Sequence, residues 1–370
     1  MTVPERLAAL RKLMREKNID VYVVPTADFH QSEYVGEHFK ARKFITNFSG
    51  SAGTAVITLN DAKLWTDGRY FIQAAKQLEG TTVTLMKMFE PGVPSVNEYL
   101  EEILQAGQTL SFDGRVVSVG EGDEYAEIAK KKGAKVDYQE DLIDEIWTDR
   151  PPLSEEPAFF LEEKYTGEST ASKLARIRKE MEEAGCDAHI VSTLDDTCWT
   201  LNIRGNDIEF FPLVLSYAII KKDSFELYID ERKLDDNLKA LLKKEGVNLH
   251  PYNAIYEDVK QLPAGTTVMV DKSKLNYAIF NNIPASVHVV NKRNPAILMK
   301  ALKNPVEIEN IRKAQIKDSI AHLRFMKWLK ENVGKIRITE LSASEKLDEF
   351  RKEMGNFIRD SFEPGKVLIL

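Results

Sequence analysis

Apolar positions recur at helical spacing over residues 5–17 and then give way to an apolar run, DVYVVPT, at residues 20–26. That change of period predicts a helix leading into a buried strand. The alternation continues through GTAVITL, AKLWTD, RYFIQAAKQL, TVTLMKM and VNEYLEEILQAG, so strands and helices take turns as far as residue 107. Such an order predicts an α/β domain. In IWTDRPPLSEEPAFFLEEKYTGEST the periodicity stops and prolines stand among acidic residues, which predicts a linker over residues 150–168 and a second domain after it.

The second domain reads as the first one again. RLAALRKLMREKNIDVYVVPT, from Arg6, aligns without gaps on KLARIRKEMEEAGCDAHIVST, from Lys173. NFSG…TAVIT later matches NIRG…SYAII, and WTDGRY falls on YIDERK, which sets Asp67 and Arg69 against Asp230 and Arg232. A shared helix-strand opening followed by a shared strand-strand-turn predicts a tandem duplication of one α/β unit.

The length of 370 residues is too great for one ordinary core and fits two or more domains. A formal net charge of -7 argues against nucleic acid as a partner. Two cysteines, Cys186 and Cys198, are too few for a disulfide framework or a thiolate metal site and fit a reducing compartment, so the cytoplasm is expected. No apolar run approaches the length of a membrane span, and the N-terminus is an amphipathic helix without a signal-peptide pattern, so no membrane partner is expected.

Candidate chemistry is sparse. In LWTDGRYF the aspartate reads as a cap for the following helix and the arginine as a surface residue or a ligand contact. Gly68, absent from the second copy, allows a left-handed turn or a close backbone approach. FSGSAGT lacks the endings of phosphate-binding loops, and Ser51 lacks the context of a nucleophile elbow, so a tight turn before a strand is expected. Asp28, His30, Glu33, Glu37 and His38 crowd the segment after the first strand, where α/β domains often hold ligands, but no His-Glu-x-x-His helix is present. His189 reads as a core or strand-face histidine, and His250, His288 and His322 stand alone. Asn304-Pro305 opens an amphipathic helix packed on a neighbour.

Several stretches together resemble the three-domain Xaa-Pro aminopeptidases, aminopeptidase P of the creatinase/prolidase superfamily: HQSEY, FSGSAGTAVIT, LWTDGRYFIQAAKQL, TLMKM, IWTDRP, RGNDIEFFPLVLSYAII and NPVEIENIRKAQIKDSIA. The resemblance implies two creatinase-like N-terminal α/β domains with mixed sheets flanked by helices, at residues 1–160 and 161–302. It also implies the first helices of a pita-bread metallopeptidase domain at 303–370. In that family the third domain removes the N-terminal residue from peptides with proline in second position. It does so with two divalent metals, usually manganese, held by two Asp, one His and two Glu. By resemblance Arg69 contacts the substrate peptide.

The similarity fades after DEFRKEMGNFIRDSF, residues 348–362, and the tail EPGKVLIL departs from the family. The chain is therefore expected to be truncated before all five metal ligands, to carry no catalytic or metal-binding residue, and to be inactive alone. The alternative is a non-catalytic binding or assembly module, and a homo-oligomer remains open.

Overall fold

The computed structural model describes residues 1–360. Thr2 opens the helix Val3–Glu16 with a reciprocal cap: its hydroxyl accepts from the Glu5 amide, and the Glu5 carboxylate accepts from the Thr2 amide. Leu7, Leu10 and Met14, spaced for one face, are fully buried against the first sheet. That sheet contains β1 (Val21–Pro25), β2 (Thr54–Thr58), β3 (Ala62–Thr66), β4 (Thr84–Lys87), β5 (Thr109–Phe112) and β6 (Lys135–Asp137), in the order β4-β3-β2-β1-β5-β6. Only β2 runs antiparallel to its neighbours.

After the proline-rich linker, β7 (Phe159–Phe160) pairs with β9 (Ile203–Arg204). The second sheet comprises β8 (Ala188–Val191), β10 (Ser216–Lys221), β11 (Phe225–Ile229), β12 (Val247–His250), β13 (Thr267–Val270) and β14 (His288–Asn291), ordered β12-β11-β10-β8-β13-β14. Strand for strand this is the first order again, with the same parallel and antiparallel pairs. The matched residues keep their contacts. Asp20 bonds the Thr109 amide and carbonyl, and Asp187 bonds those of Thr267 in the same way. Leu7 and Leu174 are both buried.

The two domains meet about a local two-fold axis. Ser118 and Asn276, each the N-cap of a helix, form an isolated antiparallel bridge. The Val119 amide donates to Leu275 O and the Tyr277 amide to Val117 O; Gly120 donates to Lys272 O and Ala278 to Gly114 O. Each of these contacts is answered by its equivalent in the other copy. Beside this axis His30 is fully buried, its Nδ1 2.7 Å from Ser192 O and its Nε2 2.6 Å from the Tyr252 hydroxyl. Because a carbonyl only accepts, Nδ1 carries the proton and Nε2 accepts from Tyr252.

Asn304 caps the helix Pro305–Asn332 and ties it to Thr166 O, 2.7 Å away. This helix packs on Glu340–Glu353. Among its residues only Ala321 is buried, and Ile311, Ile316, Ile320 and Leu323 stay exposed. The expectation of a packed amphipathic helix therefore holds for one side of it.

Candidate site at the open edge of the first sheet

Since five strands are parallel and β2 opposes them, the C-terminal ends of β1, β3, β4, β5 and β6 share one edge with the start of β2. Ligands of open α/β sheets gather at such an edge. Here it brings together three segments far apart in sequence: the residues after Pro25, the FSGSAGT turn and the DGR turn. The Thr26 amide and hydroxyl both donate to Gly53 O, at 3.0 and 2.8 Å. Arg42 donates from Nε to Thr26 Oγ1 at 2.9 Å and from its two Nη atoms to the carbonyls of Phe48 and Gly50. It is 3% exposed, and burial lowers its pKa to about 10. Ser51 Oγ lies 2.6 Å from the Tyr70 hydroxyl, so its partner is a phenol and not a base.

In the DGR turn, Arg69 forks onto its own aspartate, Nε to Oδ1 and Nη2 to Oδ2, both at 2.8 Å. This pairing lowers the Asp67 pKa and raises that of Arg69. Asp67 accepts from the Arg69 amide at 3.1 Å and so closes a turn; the helix Phe71–Gln77 has Tyr70 at its N-cap, so the expectation of a capping aspartate is corrected. Arg232 makes the same fork onto Asp230. A third case went unnoticed in the sequence. Asp113-Gly114-Arg115 follows β5, and Arg115 forks onto Asp113 and reaches Asp141 at 2.8 Å. The fork is thus a local property of Asp-x-Arg after a strand.

The expected role of Gly68 is also corrected. Its φ is not positive, and a Cβ there would meet only Phe71, at 3.9 Å. Of the two Asp-Gly-Arg turns, it is the one at Gly114 whose glycine the fold requires, since a Cβ there would stand 2.8 Å from Tyr138 O. Gly114→Ala is expected to lower stability by about 1–3 kcal/mol and Gly68→Ala by less than about 0.5 kcal/mol. Urea unfolding of the two variants is the check, and equal losses would contradict it.

The difference between the two copies lies at the third guanidinium nitrogen. Arg232 Nη1 is held by Glu155 at 2.6 Å. Arg69 Nη1 has no partner among the described residues, and 66% of its side chain is exposed. Arg69 therefore offers a free edge of its guanidinium beside the ring of Tyr70.

The acidic and histidine residues after β1 scatter. Asp28 accepts from the amides of His30 and Ser32, Glu37 pairs with Lys40, and His38 bonds Pro151 O at 2.7 Å. His189 is a buried strand residue bonded to Met269 O, as the sequence implied. His250 lies between Glu226 and Asp258 in the second domain. No group of three His, Cys, Asp or Glu side chains able to hold a metal ion exists among the described residues.

The creatinase/prolidase N-terminal domain is the family model that matches this chain, at residues 6–146 and again, in a second version, at 149–307. Two such domains in tandem, each with this mixed sheet, define the class of protein. A probable Xaa-Pro aminopeptidase P of Neurospora crassa is 40% identical over 373 residues, covering 97% of this chain and 54% of the relative. Xaa-Pro aminopeptidase 1 of Dictyostelium discoideum is 35% identical over 377 residues, covering 98% and 60%. The X-prolyl aminopeptidase of Caenorhabditis elegans, described as a cytosolic enzyme with a di-nuclear active site, superposes with a TM-score of 0.92 at 33% identity, over 98% of this chain and 62% of that one. The chain belongs to the creatinase/prolidase N-terminal domain family, and the relatives it resembles along nearly its whole length are Xaa-Pro aminopeptidases. It spans a little over half the length of these relatives.

Proposed function

We propose that this chain supplies the two N-terminal domains of an Xaa-Pro aminopeptidase, which removes the N-terminal residue from peptides with proline in second position. The likeness to the Caenorhabditis elegans enzyme, held over 98% of the chain, carries this reading. Proline has no N–H to donate, so a peptidase for such bonds needs its own cleft. In this reading residues 1–160 and 161–302 form the walls of that cleft, residues 303–370 open the pita-bread domain, and the exposed side of helix Pro305–Asn332 is where that domain's remaining helices pack. Arg69, with its free Nη1, is the residue that reaches the substrate. The cytosol is the compartment that the nematode enzyme suggests.

The donors present among residues 1–360 do not form a metal site. The proposal therefore places the two divalent cations, manganese in this reading, on residues outside them; bound there, they would supply an activated hydroxide. A chain of residues 1–370 is expected to release no arginine from Arg-Pro-Pro in manganese. A chimera that joins residues 1–370 to the remaining part of the Neurospora crassa relative is expected to release it. Manganese-dependent release by residues 1–370 alone would overturn the assignment. Inactivity of both would favour a non-catalytic binding module.

A further inference from the structure

Where the open sheet edge meets the second domain, residues Glu209 and Phe210 close a cavity of about 150 Å³ over Arg42. A guanidinium has five N–H groups. Thr26, Phe48 and Gly50 accept from three nitrogens, so two N–H groups have no acceptor among the described residues. No carboxylate there lies within ion-pair distance of Arg42; Glu33 and Glu209 line the cavity without pairing with it. The Phe48 ring lies under the guanidinium, 4.6 Å away, but no partner of Arg42 carries a full negative charge, and a buried cation without one is costly unless an anion joins it. Lys43, also on the rim, has no ion-pair partner among the described residues.

Part of the lining is aromatic. Tyr34 packs edge-on against Phe210 at 5.8 Å, and Phe39 continues the surface. Phe210 has φ +68°, a conformation that is costly for a residue with a β-carbon. An aromatic residue held at a costly φ, on the lining of a cavity that also holds an arginine without a carboxylate partner, suits a ligand with an anionic end and an apolar side chain.

We infer that this cavity binds the C-terminal carboxylate and last apolar side chain of a short peptide. The inference deepens the peptidase reading and rests on it for the peptide. The planar fork of an arginine matches a carboxylate, and a cavity of about 150 Å³ takes little more than one side chain beside it. Phosphate would share the anion chemistry but leave the aromatic wall unused.

Calorimetry on residues 1–370 tests this with Ala-Pro-Leu, its C-terminal amide and inorganic phosphate. The amide is expected to bind at least about tenfold more weakly than the acid. Arg42→Leu is unsuitable because Arg42 also holds two backbone carbonyls. Phe210→Gly is expected to weaken the acid peptide about threefold or more with the fold kept, since the relief of the positive φ offsets part of the lost packing on Tyr34; a thermal melt checks that the fold is kept. Equal affinities of acid and amide, or no binding of either, would overturn the inference. So would phosphate binding as tightly as the peptide and indifferently to Phe210→Gly, the mark of an adventitious ion only. No turnover is read, so loss of Arg-Pro-Pro cleavage in the longer polypeptide would defeat the peptidase reading without touching this result.

Discussion

Lys233→Ala is expected to destabilise the protein by about 3–5 kcal/mol, the usual cost of removing one partner from a buried ion pair. The Lys233 side chain is 2% exposed and that of its partner Asp207 is fully buried. Asp207 Oδ2 accepts from Lys233 Nζ and from the Leu215 amide at 2.6 Å, while Oδ1 has no partner. Without the lysine a charged carboxylate would remain in the interior, far from water. The double variant Lys233→Met/Asp207→Asn should recover part of the loss, because the amide oxygen still takes the Leu215 N–H and no charge is left, while the new NH2 has no acceptor where Oδ1 had no partner. Urea unfolding of the single and double variants decides the matter. A single-variant loss below about 1 kcal/mol would show that the pair contributes little.

In a polypeptide with peptidase activity, Arg69→Ala is expected to lower kcat/KM about ten- to a hundredfold and Arg232→Ala to leave it unchanged. The first figure corresponds to loss of one charge-assisted hydrogen bond, about 1.5–3 kcal/mol. The contrast does not rest on Gly68, whose backbone is ordinary. It rests on Glu155, which closes the outer edge of Arg232 and has no counterpart at Arg69. Both arginines are exposed and make the same fork, so both variants should melt close to the parent. Equal kinetic effects, or an Arg69 effect matched by a fallen melting temperature, would reduce Arg69 to a surface turn.

The repeated unit was legible in the sequence because it is written locally. A gapless match from Arg6 and Lys173 fixes a helix, a turn and a strand, and a strand that buries both faces reads as an apolar run. The two identical strand orders follow. What joins the domains was not legible. His30 meets Tyr252 across 222 residues, and no pattern along the chain foretells such a pair. Asp113-Gly114-Arg115 escaped notice because β5 has only four residues and offers little period to anchor the turn behind it. Arg42 escaped because a lone arginine in a short helix reads as surface, and only the folded edge shows that three neutral oxygens enclose it.

The reciprocal bonds around Ser118 and Asn276 are those that two separate identical chains make when they dimerise face to face. A dimer of identical chains must repeat every substitution on both sides of its axis. Two copies on one polypeptide are released from that rule, and here they have used the freedom. One Asp-x-Arg turn is shut by Glu155 and the other stands open; one sheet edge carries a buried Lys233–Asp207 pair and the other an arginine without a counter-ion. An inherited symmetry thus holds the halves together while leaving each edge to drift toward its own chemistry.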